Sequence, residues 1–513
     1  MKLKVDDNRQ YLVVEDCTQL ELEQMESSFT KKVDNWFIIK KKIPHWDGEI
    51  KFIDRYNRIP IGLWGEVRSL AKKYNFPLSI EGADLLIDKD FSEEDFYNWM
   101  NDFFPDPENF TLRDYQIQAC LKALKFRFCT EEISTSGGKT IIAYAIFRYL
   151  FDRKKIKKML YVVPNIDLVT QTQEKFYAYE SQISDKDPVW KSQCVYSGAG
   201  KEKPNVDIVF GTYQSLSKRS VEYFSQFDSI LIDETHHAKA DSIKNIVVKC
   251  INATFYKIGL TGTLPKEGTC SSFTIQAYLG PKVFTLESFE LIEKGNATPV
   301  NVIGIELDYL PAEKKRDLYE LRDVEADEKD GAKLLNTEKE IARENRKRLI
   351  YICEMVAKTK KNTLVLFADV KHEYGRRIYD WLRENSNKNV YYIDGNTKVD
   401  NRDFFKRKME EEDDTVLVAS TGTFSEGIDL PNIHNLFITE SHKSEIIIRQ
   451  MLGRPMRLKE GKDKVIVVDF SDNFYWNGPN TFQKKNYLMR HAAEREKVYK
   501  EKKFPFKKFK IKL

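Results

Sequence analysis

The stretch FCTEEISTSGGKTIIAYAIFRYL, Phe128 to Leu150, decides the fold. FCTEEI reads as a short strand and IIAYAIFRYL as an apolar helix, with STSGGKT, Ser134 to Thr140, turning between them. A glycine-containing turn from a strand into a helix is the setting a phosphate loop requires, because loop NH groups and the helix N-terminus converge on one anion. In that reading Ser134, Thr135, Ser136, Gly137 and Gly138 wrap the phosphates, Lys139 reaches the β and γ phosphates, and the Thr140 hydroxyl ligates Mg²⁺. The strict GxxxxGK[ST] spacing is not met, since Ile133 stands where its first glycine belongs. On these residues alone a purely structural glycine turn stays open.

Working outward, MLYVVP, VDIVFGT, DSILIDE and FYKIGLTGT each end where a turn or loop begins. Short apolar strands alternating with helices predict a parallel α/β sheet. DSILIDE carries a second chemical signal, for it ends in Asp233 and Glu234. One carboxylate there can hold Mg²⁺ and the next can polarise an attacking water, which supplies the other half of an ATPase site. A DE pair at a strand end is common by chance, and its position after the phosphate loop in the same sheet is what gives it weight.

A second alternating run contains NTLVLFA, NVYYIDG, DTVLVAS, HNLFITE and KVIVVDF. The stretch EKGNATPV, Glu293 to Val300, punctuates the two runs as a connection would, and 311–349 read as a highly charged helical insertion. The expected organisation is an accessory domain over 1–108, α/β domains over 109–292 and 293–480, and a basic helix and tail over 481–513. There is no internal sequence repeat.

The chain has 513 residues, 41% hydrophobic and 32% charged, with a formal net charge of +4, so several globular cores are expected and large-scale disorder is not. Lysine gathers at Lys31, Lys32, Lys40, Lys41 and Lys42, and again between Lys497 and Lys512 with Phe504, Phe506 and Phe509 interleaved. These are candidate phosphate contacts, although such runs are often plain solvated faces. Trp36, Trp46 and Trp64 read as core packing ahead of base stacking. The seven cysteines are scattered without zinc spacing, which fits reduced thiols. No apolar signal core or membrane span is found, so a cytoplasmic protein without membrane partners is expected, in the host cytoplasm if phage-encoded.

The motifs follow one another in the order of superfamily 2 helicases of the DExH form, and the chain resembles that family. LRDYQ resembles the Q motif, VPNIDLVTQ motif Ia, DETH motif II, TGT motif III, LVLFA motif IV, STGTFSEGIDL motif V and RQMLGRPMR motif VI; GTYQSL resembles the strand-end motif that touches nucleic acid. The resemblance implies two RecA-like parallel-sheet motor domains with a small α+β N-terminal domain and a basic helical C-terminal extension. It implies ATP with Mg²⁺, the base supported by Arg113 and read by Gln116, and Gly427 and Asp429 as further nucleotide contacts. Lys139, Asp233, Glu234, Gln450, Arg454 and Arg457 would carry catalysis, with Mg²⁺ on Thr140 and Asp233. The two arginines would sit one turn apart on a helix and face the γ phosphate held by the other domain. Pro164, Gln171, Gly211, Thr212 and Thr421 would meet nucleic acid, while Thr261, Gly262, Thr263 and His236 would couple it to the ATP site.

At the front, HWDGEIKFIDRYNRIPIGLWGEV, His45 to Val67, is similar to the N-terminal domain of phage recombination and repair helicases. YFSQF before motif II and the closing KNYLMRHAAEREKVYKEKKF are similar as well. That implies an ATP-dependent motor on branched or forked DNA, which unwinds or anneals it, migrates junctions and regresses forks. Alternatives remain open: an RNA helicase, a duplex translocase that does not separate strands, and an ATP-gated annealing or binding protein.

Overall fold

Strands whose residues are buried along their whole length form the centres of two sheets, as parallel strands covered on both faces require. The computed structural model describes residues 1–513 apart from 35, 37–42, 44, 105, 107–109, 185–186, 200–202, 204, 238–239, 251, 253–254, 309, 311–330, 398, 426–429 and 475–485. The chain divides into two compact units, Met1–Leu286 and Glu287–Leu513. The helix Ser288–Glu293 therefore belongs to the second unit, a few residues before the connection expected from EKGNATPV.

The first unit opens with β1 (Lys2–Val5), β2 (Tyr11–Asp16), β3 (Thr30–Lys32), β4 (Glu49–Lys51), β5 (Arg58–Pro60) and β6 (Ser79–Glu81). They make a sheet of order β5-β2-β1-β6 and a separate β3-β4 ribbon. The main sheet follows: β7 (Phe128–Ile133), β8 (Met159–Val163), β9 (Ser192–Val195), β10 (Ile208–Thr212), β11 (Ser229–Asp233), β12 (Tyr256–Thr261) and β13 (Lys282–Leu286). Its order is β13-β7-β12-β11-β8-β10-β9, parallel throughout. Register decides what this sheet presents. Glu132 pairs with Thr261, Leu260 with Asp233, Ile232 with Val162 and Val163 with Thr212. Every motif that follows one of these strands thus leaves from the same carboxyl edge, where open α/β sheets bind ligands.

The N-terminal residues share a core with this unit, where the sequence had set them apart. Leu3, Leu12, Ile59, Leu63 and Val67 cluster with Phe128, Cys270, Phe273 and Ala277. The helix Cys270–Leu279 makes that possible because it is apolar on two faces: Phe273 and Ala277 meet the small sheet, while Ile275 and Leu279 meet the main core. The approach is close enough that a Cβ on Gly62 would stand 2.0 Å from the Gln276 carbonyl oxygen.

In the second unit the strands are β14 (Val300–Asp308), β15 (Thr363–Phe367), β16 (Val390–Ile393), β17 (Val416–Ser420), β18 (Asn435–Ile438), β19 (Val465–Asp472) and β20 (Phe506–Lys512). The order is β16-β17-β15-β18-β19-β14-β20, again parallel. Both units are RecA-like. Of the charged insertion, helices Gly331–Glu344 and Arg346–Ala357 are described. The expected basic helix is Tyr487–Glu501, and it is built into the unit: Arg495 is fully buried, its Nε donating to Asp469 at 2.8 and 3.0 Å. A buried guanidinium is tolerated only with such a partner. The tail beyond it is the edge strand β20, on which Lys508 and Lys510 pair with Glu306.

Candidate nucleotide site

The loop after β7 is shaped by its own residues. Ser134 N donates to Leu286 O at 3.0 Å and Gly137 N to Ser134 O at 2.9 Å. Ser136 and Gly138 take φ of 74° and 84°, a region that strains a residue with a Cβ and suits glycine. Gly138 is the N-cap of the helix Lys139–Asp152, whose residues Ile141 to Leu150 are all buried, so the helix start is anchored by the core. A Cβ on Gly137 would lie 2.7 Å from Ile133 Cγ2, and one on Gly138 would lie 2.4 Å from Gln116 Nε2. Gln116 is buried and braces the loop: Nε2 donates to Gly137 O at 3.3 Å, and Oε1 accepts from Arg113 N at 2.9 Å. Its amide is thus committed to the loop and to the start of its own helix. Arg113 donates to the Tyr115 hydroxyl at 3.0 Å. Thr135 and Thr140 are half-buried at this edge.

Lys139 reaches across to the end of β11, where its Nζ lies 3.1 Å from Glu234 Oε1. Asp233 is buried; its Oδ1 accepts from Glu234 N at 2.8 Å and its Oδ2 from the Tyr161 hydroxyl at 3.2 Å. Burial and the adjacent Glu234 carboxylate push the Asp233 carboxyl up, against the pull of Lys139. Glu234 adopts a φ of 49°, a left-handed conformation costly for a non-glycine residue, and that turn aims its carboxylate at the loop lysine. Motif III is wired to the same carboxylate. His236 Nδ1 lies 3.4 Å from Glu234 Oε2 and 2.6 Å from Thr261 Oγ1; Gly262 N donates to Glu234 Oε2 at 3.5 Å, and Thr261 Oγ1 donates to Thr263 O at 3.0 Å. The first unit thus brings together the loop, the carboxylate pair and all four expected coupling residues.

In the second unit the helix Glu445–Gly453 ends before either expected arginine. Pro455 has no NH to give to Met451, so the ladder stops, and Arg454 is the C-cap. Arg457 follows on a turn, its N donating to Arg454 O at 3.5 Å. The arginines are thus three residues apart on a helix-ending turn, a correction to the expected helical pair. The Arg454 guanidinium lies 5.5 Å from the Phe424 ring centroid, and Gln450 is buried in the last turn. Gly427 and Asp429 lie outside the described residues.

Residues 109–266 match the family described as Type III restriction enzyme, res subunit, and 346–459 match the Helicase conserved C-terminal domain. The chain is 27% identical over 503 residues to the ATP-dependent DNA helicase uvsW of Enterobacteria phage T4, covering 96% of each chain. The chain belongs to the superfamily 2 helicases. It is an ATP-dependent helicase enzyme. Solved structures agree in fold: the DNA-bound restriction-modification enzyme LlaBIII has a TM-score of 0.53 at 18% identity, over 79% of this chain and 32% of that one. Dbp5 of S. cerevisiae, bound to RNA and ADP BeF3, has a TM-score of 0.52 at 12% identity, over 79% of this chain and 91% of that one.

Elsewhere in this helicase the expected nucleic-acid residues differ in what they expose. Pro164 and Gln171 are half-buried at the carboxyl edge. Gly211 is packed so closely that a Cβ would lie 2.9 Å from Leu216 Cδ1. Thr212 caps the helix Tyr213–Leu216, its Oγ1 accepting from Ser215 N at 3.3 Å, and Thr421 Oγ1 donates to Phe367 O at 2.9 Å. Both threonines are buried, with their hydroxyls used inside the fold. Of the N-terminal lysines, Lys31 lies 4.7 Å from the Phe273 ring centroid and Lys32 4.6 Å from that of Trp36; Lys40, Lys41 and Lys42 lie outside the described residues. Trp64 is buried, and Trp36 and Trp46 are half-buried. Among the described residues no helix is long and apolar enough to cross a membrane. Sequence reading missed Tyr161, which fixes Asp233; a tyrosine inside the apolar run MLYVVP was the available signal, since a buried hydroxyl needs a partner.

Proposed function

We propose that this helicase is a motor on branched or forked DNA, unwinding or annealing it, migrating junctions and regressing forks in phage recombination and repair, in the host cytoplasm. One observation supports this reading: the likeness to the T4 DNA helicase runs over 96% of both chains and so extends into the segments before residue 109 and after residue 459. Those segments lie outside the matched motor families.

Lys139 neutralises the β and γ phosphates of ATP, and an entering polyphosphate competes with Glu234 for its ammonium. Released, Glu234 orients the attacking water, while Gly262 and His236 beside it sense the change. Arg454 and Arg457 offset the negative charge that develops on the transferred phosphoryl group, an effect worth roughly three to five powers of ten in rate. Mg²⁺ fits the donors present. Among the described residues no group of three or more His, Cys, Asp or Glu could hold a metal. One buried carboxylate, Asp233, and one helix-start hydroxyl, Thr140, suit an ion that keeps several waters and leans on substrate phosphates. Held by Asp233 and Thr140, the ion would neutralise negative charge on the substrate phosphates. Arg113 and Gln116 would frame the base, and Gly427 and Asp429 add nucleotide contacts. Pro164 and Gln171 would meet the nucleic-acid backbone from the carboxyl edge, Gly211, Thr212 and Thr421 would shape the strand-end loops from within, and residues 1–108 would add grip.

ATP turnover and strand rearrangement, compared on single strands, duplex, forks, four-way junctions and RNA at matched salt, test the proposal. Greatest stimulation by forks and four-way junctions is expected. Greatest stimulation by RNA, or turnover on duplex without strand separation, would overturn it.

A further inference from the structure

Lys462 lies in KEGKDK, a stretch that reads as solvated surface, yet the residue is only 7% exposed. The tight turn before it uses Gly461 at a φ of 74°, and Lys462 N donates to Lys459 O at 3.1 Å. The side chain then runs inward, and its ammonium donates to three carbonyl oxygens: Pro431 at 2.7 Å, Arg457 at 3.2 Å, and Pro455. Pro431 directly follows STGTFSEGIDL, whereas Pro455 and Arg457 belong to the arginine turn. Thr298 completes the arrangement, its N donating to Met456 O at 2.7 Å and its Oγ1 to Arg457 O at 3.0 Å. Three consecutive carbonyls, of Pro455, Met456 and Arg457, are therefore held from outside the motif.

Three acceptors around one lysine match an ammonium, which has three N–H bonds; a neutral amine has two and would leave one buried carbonyl without this donor. We propose that Lys462, as an ammonium, is a positioning residue for the arginine turn, locking the end of motif V to motif VI so that Arg454 and Arg457 stand where hydrolysis needs them. This rests on the reading that those arginines act on the phosphoryl group. Lys462 does not touch substrate; it acts through the backbone it holds.

The setting makes the clamp sensitive to pH. Burial pushes the Lys462 ammonium down to about 7, with Lys459 acting in the same direction and Glu410, from the helix Val399–Glu411, opposing. His434, just before β18, also faces it, and burial together with Lys462 and Lys361 holds its imidazole below the usual range. Glu410 is itself fixed by Lys459 at 3.0 Å and Asn432 N at 2.9 Å. As pH rises through the lysine's lowered value the third N–H is lost, so this contribution to turnover declines above neutrality.

The test is steady-state ATP turnover and direct ATP binding in Lys462→Met, measured from pH 6 to pH 9 beside the full-length wild type and Arg457→Ala. A folded Lys462→Met should lose about tenfold to a hundredfold in kcat with unchanged ATP affinity, since displacements of about 1 Å cost rates of that size. Its pH profile should lack the wild type's decline above neutrality. Unchanged kcat in folded Lys462→Met while Arg457→Ala is slow overturns the clamp alone. Normal turnover in Arg457→Ala overturns the arginine reading on which it rests. If Lys462→Met does not fold, Thr298→Val decides: it removes one donor to Arg457 O, and its kcat should fall with ATP affinity retained, whereas an unchanged kcat overturns the proposal.

Discussion

The proposed phosphate loop of the first unit and the proposed arginine turn of the second are shaped by different means. The loop is set first by its own backbone, through glycines whose Cβ would crowd Ile133 and Gln116 and through the left-handed Ser136 and Gly138, with Gln116 and Leu286 bracing it from outside the motif. The arginine turn is set by residues outside it, Thr298 and Lys462, acting on its carbonyls. A glycine-shaped loop depends first on its own backbone conformation, whereas the arginine turn depends on hydrogen bonds from side chains outside the motif.

That contrast can be broken in several ways. The largest effect is expected from Lys139→Ala, which removes a charge without touching the glycines that shape the loop: turnover should fall about a thousandfold, as removal of one donor to a charged transition state can cost. The circular-dichroism melt should stay that of wild type. Near-normal hydrolysis in this variant would remove the phosphate-loop assignment.

The N-terminal sheet tests dependence on surroundings within the first unit. Gly62→Ala forces a Cβ against the Gln276 carbonyl, and the overpacking should lower stability by about 1–3 kcal/mol in denaturant titrations. An unchanged midpoint would mean that the shared core is not tightly packed. By the same logic, a chain beginning near Phe110 would uncover Phe128, Phe273 and Ala277, so a motor stripped of residues 1–109 should be less stable than the whole.

Glu131 sharpens the contrast from the other side. It is fully buried in β7, its two carboxyl oxygens have no hydrogen-bond partner among the described residues, and burial pushes its pKa well above the ordinary range. The folded state keeps this proton while the unfolded chain releases it above about pH 4.3, so its contribution makes stability fall as pH rises from there towards the raised value. Glu131→Met should raise stability by about 1–3 kcal/mol at neutral pH and remove that slope. Equal pH slopes in the two proteins would show that Glu131 is solvated in solution.

The smallest effect belongs to the surface. Replacing Lys31 and Lys32 by Gln should reduce the salt slope of duplex binding by about 0.9 for each phosphate that these lysines neutralise. Binding isotherms across a salt series would show it, and an unchanged slope would leave both lysines as ring-stacked surface groups.

The sequence made the loop, the carboxylate pair and the strand ends legible because local rules govern them: a glycine turn before a helix, and carboxylates closing an apolar strand. It did not show that the helix Cys270–Leu279 serves two cores, since CSSFTIQAYL is apolar nearly all round and does not say which neighbour covers each face. FKKFKIK hid β20 behind its lysines, which an exposed edge strand accommodates. Lys462 was invisible for a related reason: among charged neighbours, only the fold says which lysine turns inward.

Single-turnover hydrolysis of bound ATP by Arg457→Ala on a four-way junction tests the division of labour most directly. The expected result is ATP affinity like that of wild type, chemistry slowed at least about a hundredfold and a junction that does not move. Normal hydrolysis with weakened junction binding would contradict it, and would make Arg457 a nucleic-acid contact instead.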